Sequence, residues 1–282
     1  MNAVEGYLSG GVAVVTGAGS GLGAAMAVRF SAQGMTIVAL DIDGPQAESV
    51  AQRIRMGGGS AMDLKCDVSD RAAMEGTAKE VEARFGHCSV VCANVGVQQF
   101  GAIDRLSEND WRWVLNVNVM GVIYTVDAFL PLLRKASGPR HIVITSSSAA
   151  YSPGIRMAAY TTSKYAITGY AETLRMELAN EGIGVTILFP AGMSTHHLQS
   201  SQRARPAELG PSLINREDID AMMASRRIDV GGHVATAEHA TRHLIAALAA
   251  NRRYIITHGN CRQVITSNFE ELLAAHDRAQ LE

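Results

Sequence analysis

The chain is poor in aromatic residues, in cysteine and in excess charge of either sign. Among its 282 residues, aromatic side chains make up 5%, four residues are cysteine, and the formal net charge at pH 7 is -2. Without a block of lysine and arginine, the sequence lacks the positive surface that binds nucleic acid or an anionic membrane. No apolar run reaches the roughly 20 residues of a membrane-spanning helix, and no secretory signal pattern begins the chain. We therefore expect a cytoplasmic protein whose partner is a small molecule.

The cysteines form neither a zinc-binding pattern nor a disulfide scaffold. They show no paired CxxC spacing: Cys66, Cys88, Cys92 and Cys261. Three of them lie in or beside apolar runs, where a free thiol behaves as a small buried hydrophobic group. Two histidine pairs, His196 with His197 and His239 with His243, are the other candidate ligands, but no carboxylate or HExxH arrangement completes a site. We predict reduced thiols and no bound metal.

Short β-branched runs alternate with longer segments of helical periodicity up to about residue 190. Hydrophobic residues make up 47% of the chain and no repeat divides it, so we expect one large core and a single domain over residues 1–282. Such alternation is typical of βαβ units, whose right-handed crossovers place helices on both faces of a parallel sheet. We predict an α/β, Rossmann-like doubly wound sheet with seven strands, at residues 12–16, 36–41, 61–67, 89–94, 141–146, 184–189 and 254–257.

A glycine-rich turn follows the first predicted strand and opens a helix. Its residues are Gly17, Ala18, Gly19, Ser20, Gly21, Leu22 and Gly23. Glycines permit a tight turn and let the backbone approach a pyrophosphate at the partial positive charge of a helix N-terminus. Such a turn can also be a plain connection, but its position between the first strand and the first helix favours a dinucleotide-binding site.

Asp41 ends the second predicted strand, eighteen residues after Gly23. An acidic side chain there can accept hydrogen bonds from the adenosine ribose hydroxyls, and it would repel the 2′-phosphate of NADP. Residues 42–45 supply no lysine or arginine to receive that phosphate. We therefore predict NAD as the cofactor. The alternative is that Asp41 only caps the following helix.

Tyr160 and Lys164 stand one turn apart in a predicted helix over residues 158–180, so their side chains share a face. They form an acid/base pair, because an adjacent ammonium group and a positive nicotinamide ring both lower the pKa of a phenol. The YxxxK spacing alone is common on exposed helices. Thirteen residues upstream, Ser147 follows the fifth strand, and spacing favours it over Ser146 and Ser148 as a site hydroxyl.

In their order, these elements resemble the classical short-chain dehydrogenases. The family's TGxxxGxG, NAG, catalytic Asn, Ser and YxxxK elements match residues 16–23, residues 94–96, Asn118, Ser147, and Tyr160 with Lys164. The resemblance covers residues 8–192 and the last strand. It implies that Asn118 holds a proton-relay water with Lys164, that Ser147 orients the substrate oxygen, and that Lys164 holds the nicotinamide ribose.

The resemblance also implies the cofactor-binding residues outside the glycine-rich turn. Asp67 and Val68 match the adenine-binding pair, and Asn94 and Gly96 match the element near the cofactor ribose and the sheet centre. The segment that contacts the carboxamide is matched by Pro190, Met193 and Thr195. Two positions depart from the family pattern: Val95 replaces an alanine, and Ala191 replaces a glycine.

Residues 194–232 interrupt the alternation of strands and helices. Because this segment follows the sixth strand, we expect it to hang over the ligand edge of the sheet as a substrate lid. Its larger apolar residues either line a pocket or form the lid's own core: Leu198, Leu209, Leu213, Ile214, Met222 and Met223. A lined pocket favours a bulky, apolar alcohol, and the Arg205-Pro206 insertion and the tail loosely resemble dehydrogenases of aryl alcohols in aromatic breakdown.

The sequence thus predicts an NAD-dependent oxidoreductase that transfers hydride between nicotinamide and the CH–OH or C=O group of a bulky, apolar or aromatic secondary alcohol or ketone. The alternative is a catalytically silent nucleotide-binding regulator of the same fold. Residues 109–133 and 158–180 resemble the family's paired interface helices, and the first carries more apolar residues than one buried stripe needs: Val119, Val122, Ile123, Val126, Phe129 and Leu130. We therefore expect a homodimer or homotetramer.

Overall fold

Seven parallel strands form one sheet in the order β3-β2-β1-β4-β5-β6-β7. The computed structural model describes residues 6–193, 197–212, 214–225 and 235–280. The strands are β1 (Val12–Thr16), β2 (Thr36–Asp41), β3 (Ser60–Lys65), β4 (Val90–Ala93), β5 (Arg140–Thr145), β6 (Ile183–Phe189) and β7 (Tyr254–Ile256). The predicted doubly wound α/β fold in a single domain is confirmed, with strand ends displaced by up to two residues.

Helices cover both faces of the sheet. They are α1 (Gly21–Ser31), α2 (Gly44–Met56), α3 (Arg71–Phe85), α4 (Glu108–Leu115), α5 (Gly121–Lys135), α6 (Ala158–Leu178), α7 (His197–Ala204), α8 (Arg216–Ala224), α9 (Ala237–Ala240), α10 (Leu244–Ala249) and α11 (Arg262–Ala279). Buried side chains of α3, α5 and α6 form a core on one face, and those of α1, α2 and α10 form a core on the other. The four cysteines are buried and free.

Side-chain caps explain where several of these helices begin. Asp43 accepts a hydrogen bond from a backbone N–H of the first turn of α2, and Asp70 accepts two at the start of α3. Ser107 and Asp110 form a reciprocal capping box at α4. Each cap satisfies N–H groups that have no partner within the helix. The helices therefore begin directly after the loops that leave the carboxyl ends of the strands.

The strand order reverses between β1 and β4, which are direct neighbours in the sheet. From β1 the chain proceeds outward to β2 and β3, and from β4 it proceeds in the opposite direction to β7. The loops that follow β1 and β4 therefore diverge and leave a crevice at the carboxyl edge. In open α/β sheets this crevice is where ligands bind.

One continuous helical segment, Glu108–Lys135, has the length and the composition of a membrane-spanning helix. Half of its most apolar stretch of 18 residues is buried inside the fold, where Val114, Val126 and Phe129 contact the sheet and the neighbouring helices. A core helix of a globular domain satisfies the same test of length and hydropathy. This segment therefore carries its apolar residues for packing in the α3, α5 and α6 core.

His141, on β5, is expected to make the fold sensitive to acid. The side chain is 2% exposed and Nε2 lies 2.8 Å from the Thr186 hydroxyl. Burial, assisted by the charge of Arg175, lowers the pKa of His141 to about 4. The unfolded chain takes up this proton below its ordinary pKa and the folded protein does not, so stability is lost as the pH falls from about 6.5 toward 4.

Because of His141 alone, the free energy of unfolding is expected to be lower at pH 5 than at pH 7 by about 2 kcal/mol. Urea unfolding at both pH values measures the cost directly. A His141→Gln variant, which does not titrate, should lose correspondingly less stability between the two pH values. Equal losses in the variant and the wild type would show that His141 does not carry the acid sensitivity.

Candidate active site

The glycine-rich turn between β1 and α1 borders a large cavity at the carboxyl edge of the sheet. Gly17 and Gly21 have φ values of 66° and 51°, a left-handed backbone that favours glycine. A Cβ atom on Gly23 would lie 2.1 Å from the Gly17 carbonyl oxygen, so the turn closes on the helix only without a side chain there. Ser20 and Leu22 line the same cavity. The exposed backbone at the start of α1 fits the pyrophosphate of a dinucleotide.

Asn94 ties together the carboxyl ends of β1, β4 and β5. Its backbone N–H donates to Thr16 Oγ1 over 3.0 Å, and its Nδ2 donates to the Thr16 carbonyl over 3.1 Å. The hydroxyl of Thr145 donates to Asn94 Oδ1 over 3.0 Å. Val95 fits beside this group because Gly17 has no side chain: a Cβ atom on Gly17 would lie 3.2 Å from Val95 Cγ2. The bulk that Val95 adds is therefore accommodated against the glycine-rich turn.

Asp41 links the end of β2 to the glycine-rich turn. Its Oδ2 accepts a hydrogen bond from the Gly19 N–H over 2.9 Å, and its Oδ1 accepts one from the Asp43 N–H over 3.0 Å. Burial raises the pKa of Asp41, and the two N–H groups oppose the rise. The alternative that Asp41 caps α2 is wrong, because Asp43 is the capping residue. The Asp43 side chain accepts a hydrogen bond from the Gln46 N–H.

One cation that the sequence did not indicate lies beside Asp41 in the cavity. Lys65 is the register partner of Asp41 between β3 and β2. Strand pairing, not proximity in sequence, brings Lys65 to this place. The absence of cations at residues 42–45 therefore does not mean that this end of the cavity lacks positive charge.

Asp67 and Val68 follow β3 and line the same cavity. Asp67 Oδ1 accepts hydrogen bonds from the N–H and the hydroxyl of Ser69 over 2.9 and 2.8 Å. Val68 packs against Gly121, where a Cβ atom would lie 2.7 Å from Val68 Cγ2. These contacts fix the turn that leads into α3, at the end of the cavity where the resemblance predicts the adenine.

A π-helical turn, Asn116–Met120, joins α4 to α5 and carries Asn118. The Oδ1 of Asn118 accepts a hydrogen bond from the Val97 N–H over 2.7 Å, and its Nδ2 donates to the Val97 carbonyl and to the Ser163 hydroxyl over 3.0 and 2.9 Å. Ser163 donates to the Tyr160 carbonyl over 2.7 Å. The Asn118 side chain thus fixes the start of α6 relative to the end of β4. Single π turns are frequent at functional sites.

Tyr160 and Lys164 lie side by side on α6 and line the cavity, with 6% and 2% of their surfaces exposed. Lys164 Nζ is 5.6 Å from the centroid of the Tyr160 ring and donates to the Thr145 carbonyl over 3.0 Å. The Tyr160 hydroxyl interacts with the side chains of Ser147 and Gln98, which both favour its ionised form. The arrangement provides a phenol, a hydroxyl and an ammonium group within one buried cluster.

Burial dominates the acid–base properties of this cluster. It raises the pKa of Tyr160 above its ordinary value, although the hydrogen bonds from Ser147 and Gln98 oppose the rise. It lowers the pKa of Lys164 to about 8. In the protein without cofactor, burial therefore outweighs the lowering of the tyrosine pKa that we expected from the lysine. A lower value requires the additional positive charge of an oxidised nicotinamide.

The three neighbouring serines after β5 have different environments. The Ser146 hydroxyl is hydrogen-bonded within the core, to the Lys164 carbonyl and to Thr168. The backbone N–H of Ser148 donates to the Pro190 carbonyl over 2.8 Å. Ser147 is the one whose side chain reaches Tyr160. Spacing had favoured Ser147 without a chemical reason, and the contacts supply that reason.

The loop after β6 is anchored at two of its carbonyl groups. The Pro190 carbonyl accepts a hydrogen bond from the Ser148 N–H over 2.8 Å. The Gly192 carbonyl accepts one from Nε2 of His258, which follows β7, over 2.9 Å. Ala191, which lies between them, is therefore compatible with a defined loop path, and Met193 lines the cavity. Two residues that the sequence analysis singled out lie outside the described residues: Thr195 and His196.

The described parts of the predicted lid, residues 197–212 and 214–225, form a wall of the cavity. The cavity has a volume of about 2010 Å³, and ordinary ligand pockets have roughly 300–1,000 Å³. Of the predicted lid residues, Leu198, Met222 and Met223 line it, whereas Leu209 packs against the protein core and Leu213 lies outside the described residues. The space accommodates a dinucleotide and a second molecule.

Two buried carboxylates attach the lid to the body of the protein. Arg205 pairs with Asp110 over 2.7 Å, with 7% and 5% of the two side chains exposed, and its guanidinium lies over the Trp113 ring. At α8, Asp218 pairs with Arg105 over 2.6 Å and is 1% exposed. Because removal of one partner leaves a buried charge uncompensated, these pairs hold the lid in one position. No sequence motif indicates either pair.

Histidine pairs do not contribute a metal centre within the described ranges. No group of three or more His, Cys, Asp or Glu side chains among the described residues is arranged to hold a metal ion. His239 and His243 are exposed on the surface. His197 instead lines the cavity, where its Nε2 lies 2.8 Å from the Gly96 carbonyl oxygen.

Comparisons with known proteins agree with this arrangement. The family model described as short chain dehydrogenase matches residues 11–206. The chain is 29% identical over 265 residues to a C alpha-dehydrogenase of Sphingobium sp., an alignment that covers 93% of this chain and 85% of that protein. Homologous dehydrogenases act on alcohols, so the chain is an oxidoreductase that acts on CH–OH donors.

Two solved structures give the same result for the fold. A short chain dehydrogenase/reductase from Burkholderia phymatum in complex with NAD has a TM-score of 0.86 and 31% identity, covering 95% of this chain and 96% of that chain. A metagenomic short-chain oxidoreductase in complex with NADP has a TM-score of 0.62 and 34% identity, covering 65% of this chain and 83% of that chain. The fold binds a nicotinamide cofactor. With its glycine-rich turn, its buried Tyr160 and Lys164 and these similarities, the chain belongs to the short-chain dehydrogenase family.

Proposed function

We propose that the protein is an NAD-dependent dehydrogenase of a bulky, apolar or aromatic secondary alcohol, which also reduces the corresponding ketone. The observation that carries this proposal is the buried cluster of Tyr160, Ser147 and Lys164 in the same cavity as the glycine-rich turn. Asn118 fixes the helix that carries the cluster. A catalytically silent regulator would not need these four side chains together, so we favour the enzyme.

In the proposed oxidation, the substrate hydroxyl donates its hydrogen bond to the phenolate of Tyr160 and accepts one from Ser147. Tyr160 then takes the hydroxyl proton, and the ammonium group of Lys164 stabilises the phenolate beforehand. When bound, the oxidised nicotinamide supplies the acceptor for the hydride that leaves the carbinol carbon, together with a positive charge. Reduction reverses these transfers, and Tyr160 returns the proton to the carbonyl oxygen.

The two ends of the cavity support the cofactor class and the substrate class. Asp41 supports NAD, because its carboxylate would lie against a 2′-phosphate, although Lys65 favours an anion there. At the lid end, the wall is rich in aromatic and flexible apolar side chains: Phe100, Trp113, Met157, Leu198, Met222 and Met223. A cytoplasmic location is part of the proposal, since four free thiols suit a reducing compartment.

The proposal is tested by NADH absorbance with a panel of secondary alcohols, from short aliphatic to aryl compounds. We expect oxidation that depends on NAD and a kcat/KM that increases with the apolar bulk of the alcohol. Binding of NADH to the protein without turnover of any alcohol or ketone would favour the silent regulator. A preference for polyols or sugars would contradict the substrate class.

Self-association is a second part of the proposal, and it concerns α5 and α6. Val122, Val126 and Phe129 face the core, whereas three apolar residues of the π turn and α5 are only half-buried: Val119, Ile123 and Leu130. On α6, Tyr165 and Met176 are 48% and 71% exposed. An isologous contact between these helices and their symmetry copies would remove this apolar surface from water.

Substitution of one half-buried residue at this surface is expected to dissociate the oligomer. We expect the wild-type chain to sediment as a dimer or a tetramer, and Ile123→Lys to shift it toward the 30.0 kDa monomer, because a charge is costly in an apolar contact. Met56→Lys, at an 82% exposed position on α2, is the control and should not change the mass. A monomeric wild type at micromolar concentration would contradict the proposal.

A further inference from the structure

His197 is the first residue of α7 and lies beside the catalytic cluster. Its ring centroid is 6.4 Å from that of Tyr160, with the two rings at 67° to each other. The imidazole is half-buried and lines the cavity. Neither the proton transfer by Tyr160 nor the orientation of the reacting oxygen by Ser147 requires it. A polar ring next to the reacting group is therefore available for a different interaction.

The hydrogen bond to Gly96 determines which nitrogen of His197 carries the proton. Nε2 lies 2.8 Å from the Gly96 carbonyl oxygen, and a carbonyl oxygen only accepts hydrogen bonds. Nε2 is therefore the protonated nitrogen, and Nδ1 of the neutral ring is an acceptor. Burial, together with the nearby charge of Lys164, lowers the pKa of His197 to about 4, so the ring stays neutral at physiological pH.

A second connection joins the start of α7, at the His197 backbone, to the loop after β4. The Ser201 hydroxyl accepts a hydrogen bond from the Gln98 N–H over 2.9 Å and donates one to the His197 carbonyl over 2.7 Å. Ser201 is 1% exposed. Two hydrogen bonds thus attach the start of α7 to residues 96–98. A side chain supported in this way presents its free nitrogen in one direction, which is the requirement for specific recognition.

The surroundings of His197 make its acceptor selective. Among the described residues, no group donates a hydrogen bond to Nδ1. Gln98 already interacts with the Tyr160 hydroxyl, and the cavity wall near His197 combines apolar side chains, among them Phe100 and Leu198, with the hydroxyl of Ser200 on α7. An acceptor in such a wall loses water when a ligand enters, and a ligand without a donor leaves it unpaired.

We propose that His197 is a specificity-determining residue whose Nδ1 accepts a hydrogen bond from a second hydroxyl of the substrate, on the carbon next to the one that is oxidised. The preferred substrates are then vicinal diols, and α-hydroxyketones in the reverse direction, with an apolar group toward the lid. This inference rests on the proposed function. It adds a polar requirement to the apolar substrate class.

The test compares two alcohols that differ in one hydroxyl, 1-phenylethanol and 1-phenylethane-1,2-diol. For the wild-type enzyme with NAD, we expect kcat/KM to be about fivefold higher for the diol, since one net hydrogen bond contributes roughly 1 kcal/mol. Equal kcat/KM values would overturn the inference and leave the proposed function intact. Turnover of neither these alcohols nor any other panel member would overturn the proposed function itself.

Two variants separate recognition from a structural role. His197→Phe retains a ring of similar shape. In this variant the ratio of kcat/KM for the diol to kcat/KM for 1-phenylethanol should fall to near one, even if both values are also lower than in the wild type. Ser201→Ala is the matched control: it breaks the other attachment of α7 and should lower both values together, with the ratio retained. A ratio that survives in His197→Phe, or that falls equally in Ser201→Ala, would overturn the assignment of recognition to His197.

Discussion

Replacement of Tyr160 by phenylalanine is expected to lower kcat by about 10² to 10⁴, the range for loss of a general acid/base, while NADH still binds. The phenyl ring keeps the edge-to-face contacts with Phe100 and His197. It also leaves Lys164 with its hydrogen bond to the Thr145 carbonyl. The variant therefore removes one oxygen from the cluster and keeps the packing.

The pH profile gives this prediction a second readout. In alcohol oxidation, Tyr160 must lose its proton before it can accept one from the substrate, and burial raises its pKa. The kcat/KM of the wild type should therefore rise with pH on the alkaline side, and this rise should disappear in Tyr160→Phe. Titration of NADH by fluorescence tests whether the binding site has survived.

Tyr151→Phe is the matched control for the same substitution. Tyr151 packs edge-to-face on Phe189 with ring centroids 5.5 Å apart, away from the Ser147 and Lys164 cluster. Its replacement should leave the turnover and the pH profile close to those of the wild type. If Tyr160→Phe turned over alcohols as fast as the wild type, Tyr160 would not be the acid/base, whatever the behaviour of the control.

The parts of this site that the sequence predicted are those that depend on short separations along the chain. Tyr160 and Lys164 share a face because four residues make about one helical turn. The glycine-rich turn could be placed because β1 and α1 directly flank it. The alternation of strands and helices likewise predicted the sheet, because each βαβ unit is local and its crossover has one hand.

What the sequence did not predict depends on contacts between distant segments. Gln98 and Lys65 reach the cavity through the loop after β4 and the β2–β3 register. The pairing of Arg205 with Asp110 joins residues that no motif connects. Periodicity carries no information about such approaches, because they follow from the path of the whole chain.

Local differences also have physical reasons. Residues 61–67 were predicted as a strand, but β3 ends at Lys65. Asp67 Oδ1 then accepts a hydrogen bond from the Ser69 N–H, which closes a turn. Residues 109–133 were predicted as one helix, but a π turn around Asn118 interrupts it. The Asn118 side chain is hydrogen-bonded to the backbone of Val97. An acidic or amide side chain competes with regular structure through such bonds, and propensity alone does not show where.

The choice between NAD and NADP is expected to depend on Asp41, with kcat/KM for NAD higher on the order of 10²-fold. A 2′-phosphate close to this carboxylate would meet like-charge repulsion of about 1 to 4 kcal/mol, depending on the effective dielectric. Lys65, the register partner of Asp41, opposes this effect. Steady-state kinetics with both cofactors measure which charge prevails.

Asp41→Ala is expected to bring the kcat/KM values for NAD and NADP closer together, because both values change. Activity with NADP should rise because the repulsion is gone. Activity with NAD should fall because the ribose loses an acceptor and because Gly19 loses the hydrogen bond of 2.9 Å that holds the glycine-rich turn. Parallel NADH and NADPH binding constants would show that the change arises in binding and not in hydride transfer.

Asp43→Ala removes a neighbouring carboxylate and is the control for net charge. Asp43 caps α2 and makes no contact with Gly19 among the described residues, so its loss should cost stability of roughly 1 kcal/mol and leave the cofactor ratio unchanged. A wild-type enzyme that works better with NADP would show that Lys65 outweighs Asp41. An equal change of the ratio in both variants would mean that general charge, not the position of the Asp41 carboxylate, selects the cofactor.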